Sequence, residues 1–303
     1  MFVCAESGDG KITPGGTAFI VGLPGEHGAW LKYFVTAGHC VRSEPRWIRF
    51  RRHDGGAPED VLVGGWVSHS TADIAAAPCD LDTTQYIANW QEEQYFSDKF
   101  PPGVVVDLGT HAYYVGLLTH VPTMADKAIP MMRAANVGAL YAEDVPVRDC
   151  YPDGTPYART EPQAHIIDTY ARGGFSGSPV YVDHSYVNMW PVDDKSIAVQ
   201  LTSFSALLGV LVGHFSSEGD NAGVALVVPI EAVRELLNDQ QLVDWRNRKA
   251  GQMEANRKKE IGENAAQLDS LQDESEFARF EALSRRLVNV PKKEIDERRK
   301  DEG

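Results

Sequence analysis

Cysteine is scarce in this chain: Cys4, Cys40, Cys79 and Cys150 are its only four, and none forms a Cys-x-x-Cys pair. That spacing excludes a zinc-ribbon or finger framework, and no metal or other cofactor is expected. The start, Met-Phe-Val-Cys-Ala-Glu, lacks the basic residues and apolar run of a secretory leader. No stretch has the roughly 20 apolar residues of a membrane-spanning helix. The expectation is a cytoplasmic chain with reduced thiols and no membrane partner. Positive charge is also short, with 29 Lys and Arg against 43 Asp and Glu, or −14. Residues 246–303 hold 14 basic and 13 acidic side chains, which leaves 15 and 30 for residues 1–245. An acidic body without a basic stripe argues against nucleic acid as the main partner. No internal repeat is present, so a solenoid is excluded.

What the chain has in quantity is turn formers between short apolar runs: 27 Gly and 17 Pro within 303 residues that are 43% hydrophobic. Residues 17–23 and 31–37 read as strands joined by a Pro-Gly-rich hairpin at 24–28. Residues 46–52 alternate polar and apolar, as a half-buried strand should. Further strands are expected over 61–67, 73–77, 103–108, 112–118, 137–141, 164–169, 179–182, 197–203, 207–213 and 223–228. Residues 86–98 read as a short helical or irregular insertion, and the Pro-rich stretch 122–162 resists assignment. Many short strands at regular spacing predict an all-β barrel or sandwich. The pattern then switches. Pro229 to Leu237 carries proline and acid in its first turn with helical apolar spacing. From about residue 246 the chain is charged and helix-prone, and Leu268, Leu271, Phe277, Phe280, Leu283 and Leu287 form a stripe that breaks a heptad. That tail reads as an amphipathic helix that docks on the body, with partner binding or self-association as the alternative.

Three stretches carry chemistry. Gly173-Gly174-Phe175-Ser176-Gly177-Ser178-Pro179 sets a serine between glycines, on a turn that leads into a strand. Such a turn can hold a hydroxyl out and aim several N–H groups at one point. Val35-Thr36-Ala37-Gly38-His39-Cys40 ends an apolar strand with a histidine, whose neutral ring can take a proton from a hydroxyl. Ala72-Asp73-Ile74-Ala75 places a carboxylate before a small apolar strand, where burial demands a partner such as a histidine N–H. Each signal alone is weak: a bare turn, a surface histidine and a strand-initiating aspartate are the bland readings.

Taken together, in the order His, Asp, Ser, the three stretches resemble the motifs of the trypsin-like, chymotrypsin-fold serine peptidases. Chain order separates them from the α/β-hydrolases. The resemblance covers roughly residues 15–238. It implies two six-stranded antiparallel β-barrels in a peptidase domain over residues 1–240, followed by a charged helical tail at 241–303. It also implies a serine endopeptidase acting on protein or peptide substrates, with Ser176 as nucleophile, His39 as general base and Asp73 orienting the ring. The N–H groups of Gly174 and Ser176 would form the oxyanion hole. The strand Gly213-His214-Phe215-Ser216 resembles the family's substrate-pairing strand, and Tyr170 and Arg172 fall where its specificity pocket is built. Phe175 stands where digestive members carry an aspartate that pairs with a newly cut N-terminus, so activation by that ion pair is not expected. Within the family, Asp168-Thr169 and the serine motif are similar to glutamyl-endopeptidase-like members, which place a histidine on the pocket strand. Here Gly213 directly precedes His214, and the position of the relatives' pocket hydroxyl is Ala171. Acidic and small apolar residues both remain open at the cleaved bond. A catalytically silent peptide-binding module and an esterase are the competing functions. His69, His111, His120, His165 and His184 read as surface or structural.

Overall fold

The computed structural model describes residues 1–42, 46–86, 90–92, 96–97, 105–118, 121–150, 156–170, 173–191, 197–217 and 220–270. Two sheets dominate, so the chain is all-β with a C-terminal helix. The first sheet uses β1 (Phe2–Glu6), β2 (Ile12–Pro24), β3 (Trp30–Ala37), β4 (Arg46–Phe50), β5 (Glu59–Val63), β6 (Val67–Ser68) and β7 (Ile74–Cys79). They lie in the order β5-β4-β1-β2-β3-β7-β6, and β8 (Trp90–Glu92) joins β2 in parallel through Ile20 and Trp90. This sheet therefore has eight strands where the resemblance implied six. The extra members are short: β8 lies inside the 86–98 insertion, and β1, five residues at the chain start, fills the place between β2 and β4.

The second sheet closes into a six-stranded barrel in the order β10-β11-β14-β13-β12-β9. Its strands are β9 (His111–Gly116), β10 (Met131–Cys150), β11 (Pro156–Asp168), β12 (Pro179–Pro191), β13 (Ile197–Ser217) and β14 (Asp220–Pro229). The stretch 122–162, where sequence placed a strand only at 137–141, is mostly a long hairpin of β10 and β11. Its pairing slips twice between Val137 and Ala142, and Tyr141 and Asp144 take positive φ. Bulges of this kind shift side chains between faces and erase the period-two pattern. Residues 105–110 are not the expected strand, while 103 and 104 lie outside the described residues. Asp107 and Thr110 bond each other across a turn whose Gly109 has φ +79°, leaving Val105 and Leu108 exposed.

One large core cluster joins Tyr33, Phe34, Ile48 and Phe50 of the first sheet to Val210, Val212 and Val228 of the barrel, and a second, with Tyr114, Ile167, Phe175 and Leu211, lies within the barrel. After a single-turn α1 (Pro122–Asp126), α2 (Ile230–Leu237) follows β14 directly and buries Ile230, Val233, Leu236 and Leu237. Its Arg234 lies 5.4 Å from the centre of the Phe96 ring. The long α3 (Gln240–Ser270) buries Leu242 and Ala250 and sets Trp245 edge-on to Tyr33, with ring centres 5.3 Å apart. Two compact units result, Met1–Ala250 and Gly251–Gly303, so the division falls inside α3. The apolar stripe from Leu271 to Leu287 lies outside the described residues. Among the described residues no helix is long and apolar enough to cross a membrane.

Candidate active site

The apolar run of β3 ends at Ala37, and a tight 3-10 turn at Gly38–Cys40 presents His39. Gly38 is needed here because its N–H donates to the Asp73 carbonyl at 2.8 Å, and a Cβ would meet Asp73 Oδ1 at 2.9 Å. Asp73 sits just before β7, which pairs with β3 through Ala37 and Ile74, so the sheet register sets the two residues side by side. His39 Nδ1 lies 2.5 Å from Asp73 Oδ2, and the His39 N–H donates to Oδ1 at 2.9 Å. An ionised carboxylate only accepts, so Nδ1 carries a proton. The side chains are 6% and 5% exposed, which strengthens their interaction by excluding water.

Sequence reasoning missed what stands behind the pair. From β11, Arg159 Nη2 reaches Asp73 Oδ2 at 3.0 Å, and its Nη1 bonds Glu161 Oε2. Glu161 is fully buried and accepts the Asp73 N–H at 3.3 Å. On the outer side the half-exposed Arg42 lies 3.7 Å from Asp73 Oδ1. Burial opposes ionisation of Asp73, but the bond and charge of His39, then Arg159 and Arg42, hold its pKa below the usual carboxylate value. Burial likewise opposes the His39 cation, yet Cys40 and Asp73 outweigh it and raise the ring to about 10. Burial first, then the charges of Asp60 and Asp80, pushes the Cys4 and Cys79 thiols up, to about 12 and about 11, leaving both as inert free thiols. No sequence signal exposes Arg159 and Glu161: charges two apart on one strand face are also the pattern of a solvated strand.

Both sheets hold the serine turn. From β2, the Thr17 N–H donates to the Ser176 carbonyl at 2.8 Å and Thr17 Oγ1 donates to the Gly174 carbonyl at 2.8 Å. Toward β13, the Gly177 N–H donates to the Leu211 carbonyl at 2.7 Å, and the Leu211 N–H returns a bond to the Ser178 carbonyl at 2.9 Å. Gly174 and Gly177 have φ of +99° and +86°, and a Cβ on Gly177 would stand 2.0 Å from the Thr17 carbonyl. Phe175 is fully buried, edge-on to Tyr114 at 5.2 Å, so packing anchors the turn at that position. Cys40, next to His39, brings its Sγ to 3.9 Å from the Ser176 carbonyl. Serine turn and histidine turn are thus neighbours. Among the described residues, the N–H groups of Gly174 and Ser176 have no acceptor.

Other expected site residues are less gathered. Tyr170 is 62% exposed, with its ring 3.4 Å from where a Cβ of Gly223 would stand. His214 is half-buried on β13 opposite Ala225, between two irregularities of pairing, and Phe215 and Ser216 continue that strand. Arg172, Ala171 and His120 lie outside the described residues. Two histidines prove structural. His69 Nδ1 accepts the N–H groups of Thr71 and Ala72 and so shapes the loop before Asp73. The buried His165 accepts the Tyr141 N–H at 3.2 Å, and burial lowers its pKa to about 4.

No protein-family model matches the chain, and no curated protein matches it in sequence. Solved structures do. The HtrA-type protease AlgW with decapeptide is 16% identical with a TM-score of 0.44, over 77% of this chain and 53% of that one. Human heparin binding protein is 12% identical with a TM-score of 0.37, over 73% and 89%. A scabies mite inactivated protease paralogue is 14% identical with a TM-score of 0.40, over 74% and 92%. The chain spans 57% and 52% of two further AlgW chains, bound to a tripeptide and a decapeptide.

Proposed function

We propose that the chain is a serine endopeptidase. The observation that carries this reading is the doubly bonded, water-excluded His39–Asp73 pair beside a glycine-flanked serine turn. In this reading a peptide substrate pairs with β13. Ser176 Oγ attacks the scissile carbonyl carbon while His39 Nε2 removes the hydroxyl proton. Asp73 holds the ring and stabilises the imidazolium. The N–H groups of Gly174 and Ser176 receive the oxyanion, each such donor contributing about 2.7–4 kcal/mol to transition-state binding. The imidazolium then protonates the departing amine, and water attacks the acyl-enzyme with His39 again as base.

A fluorophosphonate probe tests the proposal. Labelling of the intact protein at Ser176, lost in Ser176→Ala and in His39→Ala with the fold retained, is expected. Unlabelled protein that still binds peptides would make the chain a binding module, and labelled protein that cleaves only esters would make it an esterase. Peptide-library profiling addresses the residue before the cleaved bond. Cleavage after Glu or Asp that His214→Ala abolishes assigns the acidic pocket to His214. Cleavage after Leu, Val or Ala, unchanged by that variant, removes His214 from specificity.

A further inference from the structure

Arg159 and Glu161 belong to β11 of the closed barrel, yet both act on Asp73 at the mouth of β7 in the other sheet. Arg159 faces three oxygens. Its Nη2 forms an ion pair with Asp73 Oδ2 at 3.0 Å and donates to the Val212 carbonyl at 3.3 Å, while Nη1 donates to Glu161. Glu161 turns its other oxygen, Oε1, to the Asp73 N–H. One strand therefore grips the carboxylate and the main chain of the same residue. The oxygen that Arg159 holds, Oδ2, is also the one that accepts His39 Nδ1 at 2.5 Å. Guanidinium and imidazole face the same oxygen.

A solitary buried arginine at that oxygen would drain the charge that Asp73 offers to the ring. Burial raises the pKa of Glu161, while Arg159 and the Asp73 N–H favour its charged form. Ionised, Glu161 restores the balance, since Asp73, Arg159 and Glu161 then carry one net negative charge, the amount an imidazolium cancels. Arg159 is the cation bonded to this fully buried carboxylate, so the two side chains form a unit. We propose that Arg159 and Glu161 are positioning residues for Asp73: the guanidinium fixes the rotation of the carboxylate against His39, and Glu161 limits how much of its charge Arg159 withdraws. The consequence for turnover rests on the peptidase reading above; the effect on His39 does not.

The test reads both in the full chain. The charged or titratable groups facing the ring are Asp73, Arg159, Glu161, Arg42 and Cys40. NMR titration of His39 separates the pair from the rest. Arg159→Met removes a cation and shifts the His39 titration to higher pH, whereas Glu161→Gln removes an anion and shifts it to lower pH. The double variant, neutral as a unit, returns it toward wild type. On a small fluorogenic peptide, Arg159→Met and the double variant lose about 10–100-fold in kcat, as a misplaced catalytic group does. KM stays within about twofold, since substrate binding is untouched. If Arg159→Met alone does not fold, Glu161→Gln and the double variant decide. A His39 titration and a kcat at wild-type values in both of these folded proteins would overturn the proposal. Wild-type protein inert to fluorophosphonate would end the peptidase reading instead, while the opposite shifts of His39, measured without substrate, still judge the positioning role.

Discussion

In the proposed peptidase reading His39 serves as a base only after losing its proton, so the direction of its pKa shift sets where activity is expected. Burial alone would push the ring below its ordinary value of 6.5; Cys40 and Asp73 reverse this and carry it to about 10. The rising limb of kcat/KM is therefore expected alkaline of 6.5, with rates still climbing between pH 7 and 9. A profile already flat at pH 7 would show that the cation is not held in this way. Stability runs in the opposite sense. A folded-state pKa above the unfolded one contributes stability that is fully present below pH 6.5 and is lost as pH rises toward 10. The free chain thus gains its working base as it loses part of the interaction that orders the site.

At the scale of elements, the start of α3 belongs to the body. Leu242 and Ala250 are 1% exposed, Trp245 packs on Tyr33, and Tyr33 Oη donates to the Leu242 carbonyl. The charged helical tail expected over 241–303 therefore contributes its first turns to the body. A chain ending at Asn238 is expected to lose at least about 3 kcal/mol, by analogy with deleting one large buried side chain. A chain ending at Arg257 should melt like the full protein and hydrolyse a small substrate at a similar rate; thermal denaturation of both truncations checks this. The legible elements share a trait. Residues 31–37 and 207–213 are apolar runs bounded by turn formers, and β3 and β13 lie there. The motif residues His39, Asp73 and Ser176 were legible because each borders such a run. Arg159 and Glu161 were hidden, since Ala158-Arg159-Thr160-Glu161 looks like a solvated edge, while the groups that Glu161 and Arg159 bond, the Asp73 N–H and the Val212 carbonyl, lie 88 and 53 residues away in sequence. His69 was hidden for a related reason: its role as acceptor for two backbone N–H groups depends on how one loop closes.

Across the whole molecule, the imbalance of 30 acidic against 15 basic residues in 1–245 gives a negative field around the body. Cationic peptides should be drawn to it at low ionic strength. For a fluorogenic peptide of net positive charge, kcat/KM is expected to fall several-fold between about 10 and about 150 mM salt, while a neutral analogue changes little. Equal salt dependence for the two would mean that the field does not reach the cleft.

The closed barrel has one more consequence, for the order in which the protein is made. Its last strand in sequence, β14, is inserted between β11 and β13. When the ribosome has delivered Ser176, neither β13, which holds Gly177 through Leu211, nor the strand that seals the barrel yet exists. A nascent or prematurely terminated chain thus carries every residue of the proposed triad without the scaffold that orients them. In the peptidase reading, the hydroxyl is expected to stay inert toward neighbouring polypeptides until synthesis has passed Pro229, a protection during translation that follows from strand order.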